Sequence, residues 1–255
     1  MAYQVQIVTP YNKSERKGTQ VEKMFNNIAH SYDLLNHTLS LGIDRRWRSA
    51  AIGSLKPYFQ PAPAGQQPEG ISILDVATGT GDLAIMACRQ LPSCTVVGCD
   101  ISDGMMDIGH RKVAEAGLSH RIQFQREDCS CLSFADSTFD AVVSAFALRN
   151  FEDLDRCLSE MRRVLRPGGR LSVVDLCTPI SFPMKQLFWL YRRLVMPLTG
   201  RLISRDDTAY TYLPQSMAAI PQADAMQQII SKAGFRNTNY RRLAFGMCIL
   251  YTAEK

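Results

Sequence analysis

Long apolar runs are absent from this chain. Nowhere do about 20 apolar residues follow one another, as a helical membrane span requires, although 46% of the 255 residues are hydrophobic. The apolar residues are therefore available for a core. The opening residues, MAYQVQIVTPYNKSERKG, contain no apolar stretch of the kind a secretory signal needs. A cytoplasmic protein is expected. Cysteines at metal or redox spacing are also missing: the eight cysteines never form a C-x-x-C pair, and most sit inside apolar runs where a thiol acts as a small hydrophobe. Reduced thiols and no metal are expected. A large excess of one charge is missing too. The net charge of +5 is too mild to argue for nucleic acid, yet it permits contact with anionic lipid. No internal repeat is visible, and the length fits one large core.

Two patterns organise the residues that are present. Before the Pro/Gly/Gln-rich stretch KPYFQPAPAGQQPEG (56–70), Val21, Met24, Phe25, Ile28 and Ala29 recur at helical spacing with Thr19 available as N-cap, and a second helix begins after Asp44. After it, strands alternate with helices: ISILDVA, DLAIMACRQL, TVVGCD, a helix over 102–116 ending at Gly117, IQFQRE, FDAVVSAFAL, DLDRCLSEMRRVL, the turn RPGG and RLSVVDLC. The C-terminal part reads as a helix broken near Pro197, a helix closed by Gly234, and two strands around Gly246. This alternation predicts an α/β fold, a doubly wound, mostly parallel seven-stranded sheet of Rossmann-like type with an N-terminal helical lid. The expected division is a lid over 1–56, a flexible connector over 57–70, and a core over 71–255 with an insertion at about 180–220 that walls the substrate site.

The segment ILDVATGTGDLAI (73–85) runs a strand through a glycine turn into a helix, and it satisfies the loose G-x-G-x-x-G/A pattern at Gly79-Thr80-Gly81-Asp82-Leu83-Ala84. Two cofactors compete for such a turn. A dinucleotide would bring a pyrophosphate to the helix N-terminus, where Asp75 and Asp82 would repel it. S-adenosyl-L-methionine has no phosphate, and its ammonium and sulfonium suit neighbouring carboxylates. Asp100, closing VVGCD, can accept both ribose hydroxyls. Asp128, after the next strand, can accept from the adenine amino group while the Cys129 N–H donates to a ring nitrogen. A dehydrogenase would also need a pair such as Tyr-x-x-x-Lys in the sheet region, and the only match, Tyr251 to Lys255, lies at the end of the chain. The residues favour the methyl donor, without metal.

FNNIAHSYDLLNHTLSLGIDRRWR (25–48), LDVATGTGDLA (74–84), FALRNFED (146–153), LRPGGRL (165–171) and YTYLPQSMAAIP (210–221) resemble the UbiE/MenG family of quinone-biosynthesis C-methyltransferases. The glycine loop alone would indicate only a class I methyltransferase; YDLLNH, GIDRRWR and LRN are more specific. The resemblance implies methylation of a polyprenylated demethylmenaquinol, or of a ubiquinone-pathway benzoquinol, on ring carbon. S-adenosyl-L-homocysteine would be the second product. The cofactor positions it carries over are Thr80, Asp100, Asp128 and Cys129, beside Asp75, Gly79 and Gly81 from the loop. Some members have a serine where this chain has Ala145.

Methyl transfer is an in-line displacement, so the protein must align a nucleophilic ring carbon at about 3 to 3.5 Å from the methyl group. Deprotonating a quinol hydroxyl activates the neighbouring carbon. Arg149 is the expected stabiliser of that phenolate and Asn150 its orienting neighbour. His30 and Asp33 are further catalytic candidates, histidine because it titrates near neutrality. Tyr32, His37, Tyr210 and Tyr212 are expected in the substrate wall. FPMKQLFWLYRRLVM reads as core or as an apolar access route for the polyprenyl chain, with Lys185, Arg192 and Arg193 near lipid headgroups on the inner face of the cell membrane. A second copy of the chain is a candidate partner. Methylation of a sterol or polyketide phenol, or a non-enzymatic scaffold role in a quinone-synthesis complex, are the competing readings.

Overall fold

A computed structural model describes residues 3–11, 14–59, 70–191, 193 and 207–255, with backbone alone over 207–210. Seven strands, β1 (Ile71–Val76), β2 (Cys94–Asp100), β3 (Ile122–Arg126), β4 (Phe139–Ala145), β5 (Leu165–Leu176), β6 (Arg236–Leu243) and β7 (Cys248–Glu254), make one sheet in the order β3-β2-β1-β4-β5-β7-β6. The first five are parallel; β7 runs antiparallel to both β5 and β6. This is the mostly parallel sheet the alternation predicts. The strand order steps from β1 out to β3 and then returns to β4 on the other side, so the switch point, where α/β sheets bind ligands at their strand carboxyl ends, lies between β1 and β4.

β1 and β4 are apolar almost throughout because they are covered on both faces. On one face Leu74, Val76 and Val142 pack with Leu158 and Met161 of α6 (Leu154–Val164) and Ile230 of α9 (Asp224–Lys232). On the other, Ile73, Val96 and Val143 pack with Leu83 of α4 (Asp82–Gln90) and Ile52 of α3 (Asp44–Gly53). Each side chain buried in this way contributes about 1.5 to 3 kcal/mol. α6 shows the local logic: Leu154, Cys157, Leu158, Met161 and Val164 recur three or four apart on the buried face, and the Asp153 carboxylate caps the helix by accepting from the Arg156 N–H at 3.0 Å. α5 (Asp103–Glu115) is capped by Ser102 and is followed by Gly117 at φ +68°.

The N-terminal segment forms α1 (Gln4–Ile7), a 23-residue α2 (Lys17–Leu39) and α3. α2 begins two residues before the expected cap at Thr19. The reason is tertiary: Glu152, from the loop before α6, accepts from the Gly18 N–H at 3.1 Å and pairs with Arg16, so a distant carboxylate caps the helix. Residues 184–191, here α7, and α8 (Asp207–Ala219) complete the helical cover. The expected break near Pro197, most of the connector and Arg192 lie outside the described residues.

Candidate active site

The turn after β1 is built for close approach. Gly79 and Gly81 have φ of +58° and +79°, and a Cβ on Gly81 would lie 2.8 Å from the Phe124 ring. A Cβ on Gly79 would meet nothing within 4 Å, because Gly79 faces open space. Ala77 and Phe146, beyond the ends of β1 and β4, are also held at positive φ, +55° and +61°, a strained backbone that borders this space.

Two cavities meet there. The first, about 180 Å³, lies over the carboxyl ends of β1 to β4 and is lined by Gly79, Asp100, Asp128, Cys129 and Ala145. Asp100 is held by its own backbone neighbours: its oxygens accept from the Gly79 N–H at 2.8 Å and the Ser102 N–H at 2.9 Å, while burial raises its pKa above the ordinary carboxylate value. Each oxygen keeps a free lone pair for a diol. Asp128 is exposed and accepts from the Ser130 N–H at 2.8 Å. The donor set fits S-adenosyl-L-methionine: open space above an αL glycine, one anchored acid on β2 and a second acid after β3.

The second cavity, about 310 Å³, lies between α2, α3, α7 and α8. Met24, Ile28, Leu35, Leu187, Phe188 and Met217 make most of it apolar. Arg149 and Asn150 supply polarity from the short turn after β4. Arg149 is 7% exposed; one Nη donates to Asp175 at 2.6 Å and to the Phe146 carbonyl at 2.5 Å, and its Nε has no partner. Asn150 Nδ2 reaches the Phe146 carbonyl at 3.4 Å and its Oδ1 has no partner. The Tyr212 hydroxyl donates to the Arg149 carbonyl at 3.3 Å, and burial pushes its pKa up. Phe25, Tyr32, Phe146 and Asn150 line both cavities, so this wall is where a group passes from one to the other. Burial raises the Tyr32 phenol, opposed by the positive charges of Arg149 and Arg48 and by the Asn36 amide.

Several expected site residues lie elsewhere. Asp75 lines neither cavity: it is 1% exposed, accepts from the Thr78 hydroxyl at 2.7 Å, and burial pushes its carboxyl up to about 7. Asp82, read as a charge beside the ligand, is spent on Lys112 at 2.5 Å and Arg48 at 3.6 Å. Asp33 joins the same knot. It accepts from Thr80 Oγ1 at 2.7 Å and Lys112 Nζ at 2.6 Å, which turns Asp33 and Thr80 from contact residues into ties between α2 and the glycine loop. Gly81 also stays outside the cavity wall. His30 is exposed and lines neither cavity, because its position on α2 faces away from Ile28 and Leu35. His37 bonds Asp44 through Nδ1 at 2.9 Å and likewise lines neither. Tyr210 belongs to α8, and its side chain is outside the described residues.

Other contributors have no signature in the sequence. Lys112 on α5 ties Asp33, Thr80 and Asp82; Asn26 on α2 accepts from Ser102 Oγ at 2.8 Å and the Gly104 N–H at 3.0 Å; Asp175 orients Arg149. Arg48 pairs with Asp44, one helical turn before it on α3.

The fold and the site define a Rossmann-like class I methyltransferase. A solved S-adenosyl-L-methionine-dependent methyltransferase from Thermotoga maritima, described as a possible histamine N-methyltransferase, superposes with a TM-score of 0.62 over 91% of this chain and 99% of that one, at 16% identity. Residues 13–255 match the ubiE/COQ5 methyltransferase family, and the chain belongs to it. A demethylmenaquinone methyltransferase of Bacteroides fragilis is 54% identical over the full length of both chains. A ubiquinone/menaquinone biosynthesis C-methyltransferase of Geobacter sulfurreducens is 41% identical, over 97% of this chain and 93% of that one.

Proposed function

We propose that this protein methylates the ring carbon of a demethylmenaquinol, using S-adenosyl-L-methionine. The observation that carries this reading is the shared wall of the two cavities: a polar one with acids at strand ends, and an apolar one whose polar atoms await a ligand. The full-length similarity to a demethylmenaquinone methyltransferase supports the substrate. When bound, the cofactor supplies an electrophilic methyl on sulfonium.

Asp100 would hold the ribose hydroxyls, Gly79 would border the ligand, and Asp128 with the Cys129 N–H would meet the adenine. Arg149 acts on the substrate. Its guanidinium is locked by Asp175 and the Phe146 carbonyl, so the free Nε–H presents a fixed positive group that favours phenolate over phenol. The phenol proton then leaves to water. Asn150 Oδ1 and the Tyr32 hydroxyl hold the ring at the shared wall. After methylation the ring carbon gives its proton to water in turn, which restores aromaticity.

A cavity of about 310 Å³ holds a bicyclic head group and leaves a long polyprenyl chain outside. α7 offers the exit. Leu187, Phe188 and Tyr191 line the cavity, while Trp189 and Leu190 on the same helix, with Ile180 and Phe182 just before it, are exposed, and the Arg193 guanidinium sits 5.2 Å over the Trp189 ring. This surface rests on the membrane that stores the substrate, without spanning it. Incubating the protein with labelled S-adenosyl-L-methionine and reduced demethylated naphthoquinols and benzoquinols is expected to label the naphthoquinol ring. Label in none of them would defeat the reading.

A further inference from the structure

Six buried side-chain N or O atoms lack a hydrogen-bond partner among the described residues, and four of them belong to the substrate cavity: Asn36 Nδ2, Trp47 Nε1, Arg149 Nε and Asn150 Oδ1. Such atoms are rare in folded proteins, and leaving one dry is costly. Their concentration around one apolar cavity marks them as ligand contacts. The proposed chemistry employs Arg149 and Asn150, and Asn36 Nδ2, though it closes no hydrogen bond, lies near the Tyr32 hydroxyl. Trp47 has no such role.

Its indole is 6% exposed and packs among Ala51, Val174 and Leu250, with its ring edge-on to Phe146 at 6.1 Å and 68°. Phenylalanine would serve that packing without burying an N–H. Indole nitrogen is a donor only, so the partner must be an acceptor. Position narrows the partner further. Asn150 lies in the wall shared with the cofactor cavity and Arg149 precedes it on the same turn, so the Arg149 Nε–H meets the oxygen beside the reacting carbon. Trp47 is carried by α3 and lines the substrate cavity alone.

We propose that the Trp47 indole N–H donates to the second oxygen of a dihydroxylated ring, the one remote from the methyl-accepting carbon, and so selects a quinol over a monophenol. This rests on the quinol reading above. Trp47 is then a specificity residue that touches substrate, set on the lid and not on the sheet.

Calorimetry tests it on the full chain saturated with S-adenosyl-L-homocysteine, titrated with reduced naphthohydroquinone and with a naphthol that lacks the second hydroxyl. The wild type is expected to bind the hydroquinone about tenfold more tightly, the effect of one hydrogen bond. Trp47→Phe binds the two compounds alike, and Trp47→His, which returns a ring N–H, recovers part of the preference. A tenfold preference that survives in Trp47→Phe, or a variant that weakens both ligands equally, overturns the assignment. The same holds for a wild type with no preference. A wild type that binds neither compound overturns the quinol reading itself, while unchanged affinity of every variant for S-adenosyl-L-homocysteine verifies that the fold is intact.

Discussion

Asp75 and Asp100 end neighbouring strands, and their surroundings give them different work. Asp100 keeps access to a cavity and is anchored by two backbone N–H groups; Asp75 is sealed beneath the loop with one oxygen unpaired. Asp100→Ala is expected to weaken S-adenosyl-L-methionine binding about tenfold or more, read by calorimetry. Arg149→Lys, which keeps a charge for Asp175 but loses the Nε donor, should lower turnover about a hundredfold and leave cofactor affinity within about twofold. Equal losses of affinity in both variants would contradict these roles. Asp75 affects stability. Its carboxyl rises to about 7 when folded, above an unfolded value of about 4, so the native state favours the protonated form. Stability is then greatest below the lower value and falls as pH rises through the upper. Asp75→Asn stays neutral and keeps an acceptor for Thr78, so its melting temperature should vary less than that of the wild type between about pH 4 and about pH 7.

Secondary-structure elements were legible where their periodicity was local. All seven strands and helices α4, α5, α6 and α9 follow the alternation of apolar runs and 3.6-residue patterns, and Gly117 and Gly234 end their helices at positive φ; the expected turn at RPGG is instead part of β5, which starts at Leu165 and shifts its register on β4 there. The start of α2 was not legible, because its cap comes from Glu152 across the fold. The same is true of the knot that fastens α2 to the sheet. Lys112 donates to Asp33 at 2.6 Å, Thr80 at 3.0 Å and Asp82 at 2.5 Å, three residues scattered through the chain. Lys112→Met keeps the aliphatic stem, takes from Asp33 its cation and leaves Asp82 with Arg48 at 3.6 Å. The expected cost is about 1 to 3 kcal/mol in urea unfolding, with hydrogen exchange accelerated in α2 more than in β1 or β4. Uniform acceleration would mean that the knot does not hold the lid in particular.

The whole molecule sets two cavities on either side of one wall, with an exposed apolar helix lining the larger of them. Phe182 and Trp189 are 82% and 53% exposed, beside the cationic Lys185 and Arg193. The full-length protein should therefore co-sediment with vesicles that contain anionic lipid. Trp189→Glu should reduce that binding several-fold while leaving affinity for S-adenosyl-L-methionine unchanged, since α7 lines only the substrate cavity. Undiminished binding of the variant would remove α7 from the membrane contact.

The sequence by itself determined the sheet, the glycine turn and the acids at the ends of β2 and β3. Each depends on residues adjacent along the chain, whose periodicity and turn chemistry act locally. Tertiary structure alone decided which charges remain available. Asp33, Asp75 and Asp82 read as site residues in one dimension, but folding pairs Asp33 and Asp82 with Lys112 and Arg48 and buries Asp75 beneath the loop, where burial raises its carboxyl. Tertiary structure also decided that Trp47 borders the substrate cavity and has an unpaired indole N–H. Burial and pairing depend on what arrives from distant segments, and no local pattern encodes that.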